Sequence, residues 1–121
     1  MFKIKFYEDK NGYSELHEQL NQLAEKSKKD KNSRILYQGI QLMIDALSKY
    51  GTYLPFKMTK HLKADIWELR PGRNRILYFY FKDNTYVLLH MFLKKTEKTP
   101  ISEIKRAERE ISEYIKRNGE N

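Results

Sequence analysis

ELRPGRNRILYFY, residues Glu68 to Tyr80, reads as the end of one strand, a Pro-Gly turn and the start of a second strand. Arg70, Arg73 and Arg75 fall within six residues around that turn. Like charges placed opposite one another destabilise a hairpin. A chain that sets three guanidiniums there needs a negative group to join them. Phosphate is the leading external candidate, because its oxygens match the guanidinium fork. Glu68 is the internal one, as a salt-bridge partner that holds Arg70 or Arg75 in place.

Outward from this hairpin, strands are expected at about Asp65 to Arg70, Asn74 to Lys82 and Thr85 to Lys94, with Asp83-Asn84 as a two-residue turn. "MFKIKFYED" alternates Phe2, Ile4 and Phe6 with Lys3, Lys5 and Tyr7, the period of a strand. From Ser14, an N-cap, Leu16, Leu20, Leu23 and Ala24 form one helical stripe. "KSKKDKNS" is expected to be a solvated connection. A second helix runs from about Arg34 to Tyr50, with Gly51 as its stop. "TYLPFKMTKHLKA" has no sustained period and is expected to be a basic loop with at most a short strand. A last helix follows Thr99 as N-cap and Pro100 as first helical residue, and Gly119 ends it.

The order β-α-α-β-β-β-α implies an α+β fold: a small, mainly antiparallel sheet with two N-terminal helices on one face and a C-terminal helix. With 121 residues the chain is expected to be a single domain, 1–121. The hairpin turns divide the side chains between faces. Trp67, Leu69, Ile76, Tyr78, Tyr80, Val87, Leu89, Met91 and Leu93 form an uncharged face for the N-terminal helices. Ile66, Glu68, Arg70, Arg75, Leu77, Phe79, Tyr86, Leu88, His90, Phe92 and Lys94 form the other. Ile104, Ala107, Ile111 and Ile115 of the last helix can cover its apolar half. That leaves Arg70, Arg75, His90 and Lys94 open, with Arg73 and Lys95 at the rim.

The formal charge is +8, from 24 basic and 16 acidic residues, and the pI is near 9.6. Between Pro55 and Pro100 ten basic residues face four acidic ones, so the excess belongs to the hairpin region. A polyanionic partner is implied: nucleic acid, an acidic membrane surface or an acidic protein. There is no cysteine, which excludes disulfides, thiol nucleophiles and cysteine-based zinc sites. No apolar run reaches signal-peptide or membrane-spanning length. The expectation is a soluble, cytoplasmic protein without membrane attachment.

A cationic patch of this kind suits metal-independent RNA cleavage, with no cofactor. The 2'-hydroxyl attacks the adjacent phosphorus, so a base, an acid and cations for the phosphorane charge are needed. Arginine stabilises charge but stays protonated. Lys94 or Lys95 can move protons if neighbouring cations and partial burial lower its pKa, and His90 titrates near neutrality unaided. A lone histidine on a strand is nonetheless more often structural than catalytic.

"DIWELRPGRNRILYFY" followed by "VLLHMFLKKTEKTPISEIKRAERE" resembles the HigB-like branch of the RelE/ParE toxin superfamily, over about Asp65 to Glu110. The resemblance implies a RelE-like fold and a type II toxin. Such a toxin is neutralised by a cognate helix-turn-helix antitoxin, and reaches operator DNA only through that antitoxin. It further implies a ribosome-dependent endoribonuclease whose partners are mRNA and ribosomal RNA. By position, Arg70, Arg75, Lys94 and Lys95 match the family's basic active-site cluster. Lys57, Lys60, His61, Arg73 and Lys98 become candidates for RNA or ribosome contact. ParE-type relatives inhibit DNA gyrase instead, so a gyrase inhibitor is the alternative, with an inactive RNA-binding relic as a third.

Overall fold

The hydrophobic periods of the chain resolve into five strands and three helices in the computed structural model, which describes residues 1–119. In chain order these are β1 (Lys3–Phe6), α1 (Glu15–Ser27), α2 (Lys31–Tyr50), β2 (Thr59–Lys63), β3 (Ile66–Leu69), β4 (Asn74–Tyr80), β5 (Thr85–Leu93) and α3 (Ile101–Asn118). The strands lie side by side as β1-β5-β4-β3-β2. β1 runs parallel to β5, and every other pair is antiparallel. The sheet is therefore mixed, with β1 and β2 as its edges. Among the described residues no helix is long and apolar enough to cross a membrane.

Local chemistry explains the helix limits. Ser14 caps α1 by accepting the His17 N–H at 3.1 Å. Asp30 caps α2 in the same way, accepting the Ser33 N–H at 3.0 Å. That cap starts α2 at Lys31 rather than near Arg34 and shrinks the charged connection to Lys28, Lys29 and Asp30. α3 differs from expectation at its start. Pro100 is the cap residue and makes no side-chain bond. The Thr99 hydroxyl instead donates to Glu68 Oε1 at 2.9 Å.

The segment without a sustained period contains β2, which pairs with β3 through Thr59–Leu69, Lys60–Glu68 and His61–Trp67. A register irregularity between His61 and Lys63 breaks its alternation.

Both turns form where expected, but the strand pairing beside Asp83-Asn84 is shifted by one: Phe81 N–H bonds Thr85 O at 2.9 Å and Phe79 pairs with Val87 rather than Leu88. Thr85 N–H bonds Lys82 O at 3.1 Å across Asp83 and Asn84, both at positive φ. These are the residue types that tolerate such a turn best after glycine. The register matches at Glu68–Leu77, Leu77–His90 and Arg75–Phe92. Beyond it a bulge intervenes: Tyr78 pairs with Leu88, not Leu89. One extra residue on β5 turns both Leu89 and His90 toward α3, and it inverts the faces of every β5 residue before it. Tyr86 and Leu88 accordingly pack under α1 and α2, and Val87 and Leu89 under α3, the reverse of the expected assignment.

Two cores result. Leu16, Ile40 and Leu47 of the N-terminal helices pack on Leu69, Ile76, Tyr78, Tyr86 and Leu88. Ala107 and Tyr114 of α3, flanked by Ile104, Ile111 and Ile115, pack on Ile66, Leu77, Phe79, Val87 and Leu89. Leu16, Leu47, Leu69, Ile76, Leu77 and Leu88 are fully buried. Each such side chain contributes about 2 kcal/mol through burial. α3 stops short of covering the sheet at its Pro71–Asn74 end, where the charged residues gather.

Candidate active site

Glu68 lies on β3 opposite Leu77, and Leu77 lies opposite His90. The three form a row across the sheet on the α3 side. One step toward the Pro71–Asn74 loop come Arg70 and Arg75, the latter opposite Phe92.

The Glu68 carboxylate is almost completely buried, at 1% exposure. Its Oε2 lies 3.3 Å from Arg70 Nε and 3.7 Å from Arg75 Nε, while Oε1 accepts the Thr99 hydroxyl. A carboxylate between two guanidiniums accounts for their tolerance around one turn. The Arg75 contact is a charge pair too long for a hydrogen bond, and neither Glu68 Oε2 nor Arg75 Nε has a hydrogen-bond partner among the described residues. Arg75 Nη1 also donates to the carbonyls of Gly72 at 2.9 Å and Asn74 at 2.7 Å. Burial holds its guanidinium below the usual arginine range, Glu68 opposing that shift and Arg70 adding to it.

Arg75 opens into a cleft of about 380 Å³ that it lines with Arg73, Lys94 and Lys95, together with Gly72, Thr96 and Glu97. A bond from Lys94 N–H to Arg73 O at 2.9 Å fixes the cleft's width by joining its two walls. Arg73 and Lys95 are exposed and Lys94 is half-buried. Among the described residues these three make no ion pair, so Glu97 supplies the cleft's one carboxylate.

The other expected site residues separate into groups. Arg70 faces away from the cleft toward the loop before β2: Nη1 donates to Phe56 O at 3.2 Å, and its guanidinium lies 4.9 Å from the Phe56 ring centre. Lys57, Lys60 and His61 are exposed; Lys60 lies over the Phe56 ring at 5.8 Å, while His61 is on the opposite face, tilted against Trp67 at 5.0 Å. Lys98 is exposed in the loop before α3, beyond the residues that line the cleft.

His90 does not join the open cationic end. It is fully buried. Its Nδ1 lies 2.6 Å from Glu110 Oε1 and its Nε2 3.0 Å from Glu103 Oε1, so both ring nitrogens are occupied by α3. Arg106 extends the cluster, reaching Glu110 at 3.3 Å and Glu15 of α1 at 2.8 Å.

Phe56, Glu103 and Glu110 escaped the sequence reading, and Thr99 was read only as a helix cap, not as the partner of Glu68. The seven-residue spacing of Glu103 and Glu110 was a usable signal, because it sets both on the helix face that carries Ala107. Phe56 had none beyond its basic neighbours.

Fold and site together define an α+β protein with a cationic cleft at the loop end of its mixed sheet. A solved structure described as the heterotetrameric complex of YoeB-YefM toxin-antitoxin from Staphylococcus aureus shares this architecture. Its TM-score is 0.52 at 15% identity, over 79% of this chain and 98% of that one. The family model described as Phage derived protein Gp49-like (DUF891) matches residues 20–112, and the chain belongs to that family. No curated protein matches it by sequence.

Proposed function

We propose that this chain is the toxin of a type II toxin-antitoxin pair and acts as a HigB-like, ribosome-dependent endoribonuclease on translated mRNA. The observation that carries the reading is the cleft in which Arg73, Arg75, Lys94 and Lys95 face one another with a single carboxylate among them. Family membership and the likeness to a toxin from a toxin-antitoxin complex support it. A helix-turn-helix antitoxin is the expected partner.

In this mechanism the scissile phosphate enters the cleft and meets Arg75, which Glu68 and the Gly72 and Asn74 carbonyls hold in place. Lys94 or Lys95 takes the 2'-hydroxyl proton as the oxygen attacks phosphorus. The 5'-oxygen bond breaks, and that oxygen leaves with a proton from the other lysine. The products are a 2',3'-cyclic phosphate and a 5'-hydroxyl. Arg73 and Arg75 offset the charge that grows on the non-bridging oxygens, which needs no reorganisation because Arg75 is already fixed. His90, enclosed by α3, takes no part in proton transfer. Arg70 acts through Glu68 and through the neighbouring loop, where Lys57, Lys60 and His61 meet RNA or ribosome. The ribosome presents and orients the strand to a cleft too small to do so alone.

Mapping transcript ends after induction in cells tests this. Codon-positioned cuts and growth arrest are expected. Arg75→Ala should lower cleavage about 100-fold, the size of losing one preorganised charge contact. A folded Arg75→Ala/Lys94→Ala double variant that still cuts would end the reading. DNA breaks without transcript cuts would instead place the chain with gyrase inhibitors.

A further inference from the structure

A phenylalanine ring in water loses the benefit of burial, so one held open by rigid neighbours has a surface for something. Phe56 is 66% exposed on the loop between α2 and β2. The loop is pinned on both sides of it. Arg70 Nη1 donates to Phe56 O at 3.2 Å, Arg70 N–H to Met58 O at 2.9 Å, and Met58 N–H to Pro55 O at 2.8 Å. Two cations lie against the ring: the Arg70 guanidinium at 4.9 Å and Lys60 Nζ at 5.8 Å. Tyr53, three residues earlier, is 93% exposed. From Thr52 to Lys63 the chain has three lysines and a histidine and no carboxylate.

We propose that Phe56, backed by Arg70, is a stacking site for an unpaired nucleobase of single-stranded RNA, next to the base whose phosphate enters the cleft. The proposal rests on the nuclease reading and adds a base-contacting residue to it. An exposed aromatic face among cations fits a base, which offers a π-surface attached to a phosphate. An apolar protein surface would have to bury the surrounding ammonium groups. Arg70 ties the two positions together, since its Nε shares the Glu68 carboxylate with Arg75 while its guanidinium plane meets the Phe56 ring. Base and phosphate would thus be held at a fixed separation.

The test uses a short 2'-O-methyl oligoribonucleotide, which cannot be cut because its attacking hydroxyls are blocked, and the same backbone made abasic. Binding is read by fluorescence anisotropy at low salt. Wild-type protein should bind the intact strand more tightly than the abasic one. Phe56→Ala should weaken the intact strand about tenfold, in line with the loss of one stacked base, and leave the abasic strand unchanged. Phe56→Leu, which keeps bulk without a π-face, should behave like Phe56→Ala, and Phe56→Trp should restore binding. Equal losses on both strands, full binding by Phe56→Leu, or no preference of the wild type for the intact strand would each overturn the site. So would a Phe56→Ala variant that binds RNA normally but loses affinity for a protein partner. Cleavage in cells by the wild type separates the outcomes: cuts without a base preference in binding remove the stacking site alone, and absence of cuts removes the nuclease reading as well.

Discussion

Glu68 carries two neighbours at once. It is buried, and it stands between two guanidiniums that would otherwise repel across the turn. Removing the charge while keeping the shape isolates that role. Glu68→Gln should lower folding stability by about 3 kcal/mol, the usual cost of breaking a buried charged pair from one side. Urea unfolding measures this, and a variant as stable as the wild type would show that solvent already screens the two arginines. The same substitution should weaken cleavage, because Arg75 loses the charge opposite its Nε. The sequence made the cluster itself visible, since three arginines around a Pro-Gly turn have no easy structural explanation. It also pointed to Glu68 as their partner. Which arginine faces the cleft was not legible, because that depends on Phe56, a residue fourteen positions before Arg70 and brought to it only by β2 pairing with β3.

Among the elements, β5 and α3 decide what the active end can contain. Alternation placed most of β3 and β4 on the right faces, and it chose the apolar stripe of α3 correctly. It failed on the first half of β5, where Val87, Leu88 and Leu89 are buried on either face. Nothing in three consecutive apolar residues marks the extra one that makes a bulge. His90, on the face that alternation gave it, lies under α3, where Glu103 and Glu110 hold both its nitrogens. His90 therefore fastens the helix to the sheet. His90→Ala should leave Glu110, only 7% exposed, with Arg106 as its remaining ion-pair partner among the described residues, and should cost about 3 kcal/mol. Hydrogen exchange should rise along α3 before it rises in β4. A variant that loses cleavage but keeps the wild-type exchange pattern would return His90 to the chemistry.

Charge acts on the scale of the whole molecule, and it acts in two ways. The first concerns RNA. Each cleft cation that meets a phosphate releases counterions, so the logarithm of affinity for a single strand should fall against the logarithm of salt by about 0.7 per contact. Replacing Lys95 with alanine should flatten that slope by about this amount, and an unchanged slope would place Lys95 outside the contact. The second concerns the fold at high pH. Burial, followed by the hydrogen bond to Glu113 and that residue's charge, raises the Tyr7 hydroxyl from its ordinary value of 10.0 to about 12. Burial also raises Tyr78, Tyr86 and Tyr114. A phenol whose folded pKa is raised keeps its proton where the unfolded chain has released it. Its contribution is complete below pH 10 and is lost as pH climbs toward 12, because unfolding then releases protons. Urea midpoints should hold level up to about pH 9 and fall beyond about pH 10, with tyrosinate absorbance appearing in step with unfolding. Tyr7→Phe should fall less steeply over the same interval, since it removes one of the protons released. Were the decline equally steep in Tyr7→Phe, the hydroxyl that joins β1's end to α3 would not be among the groups that set the alkaline limit.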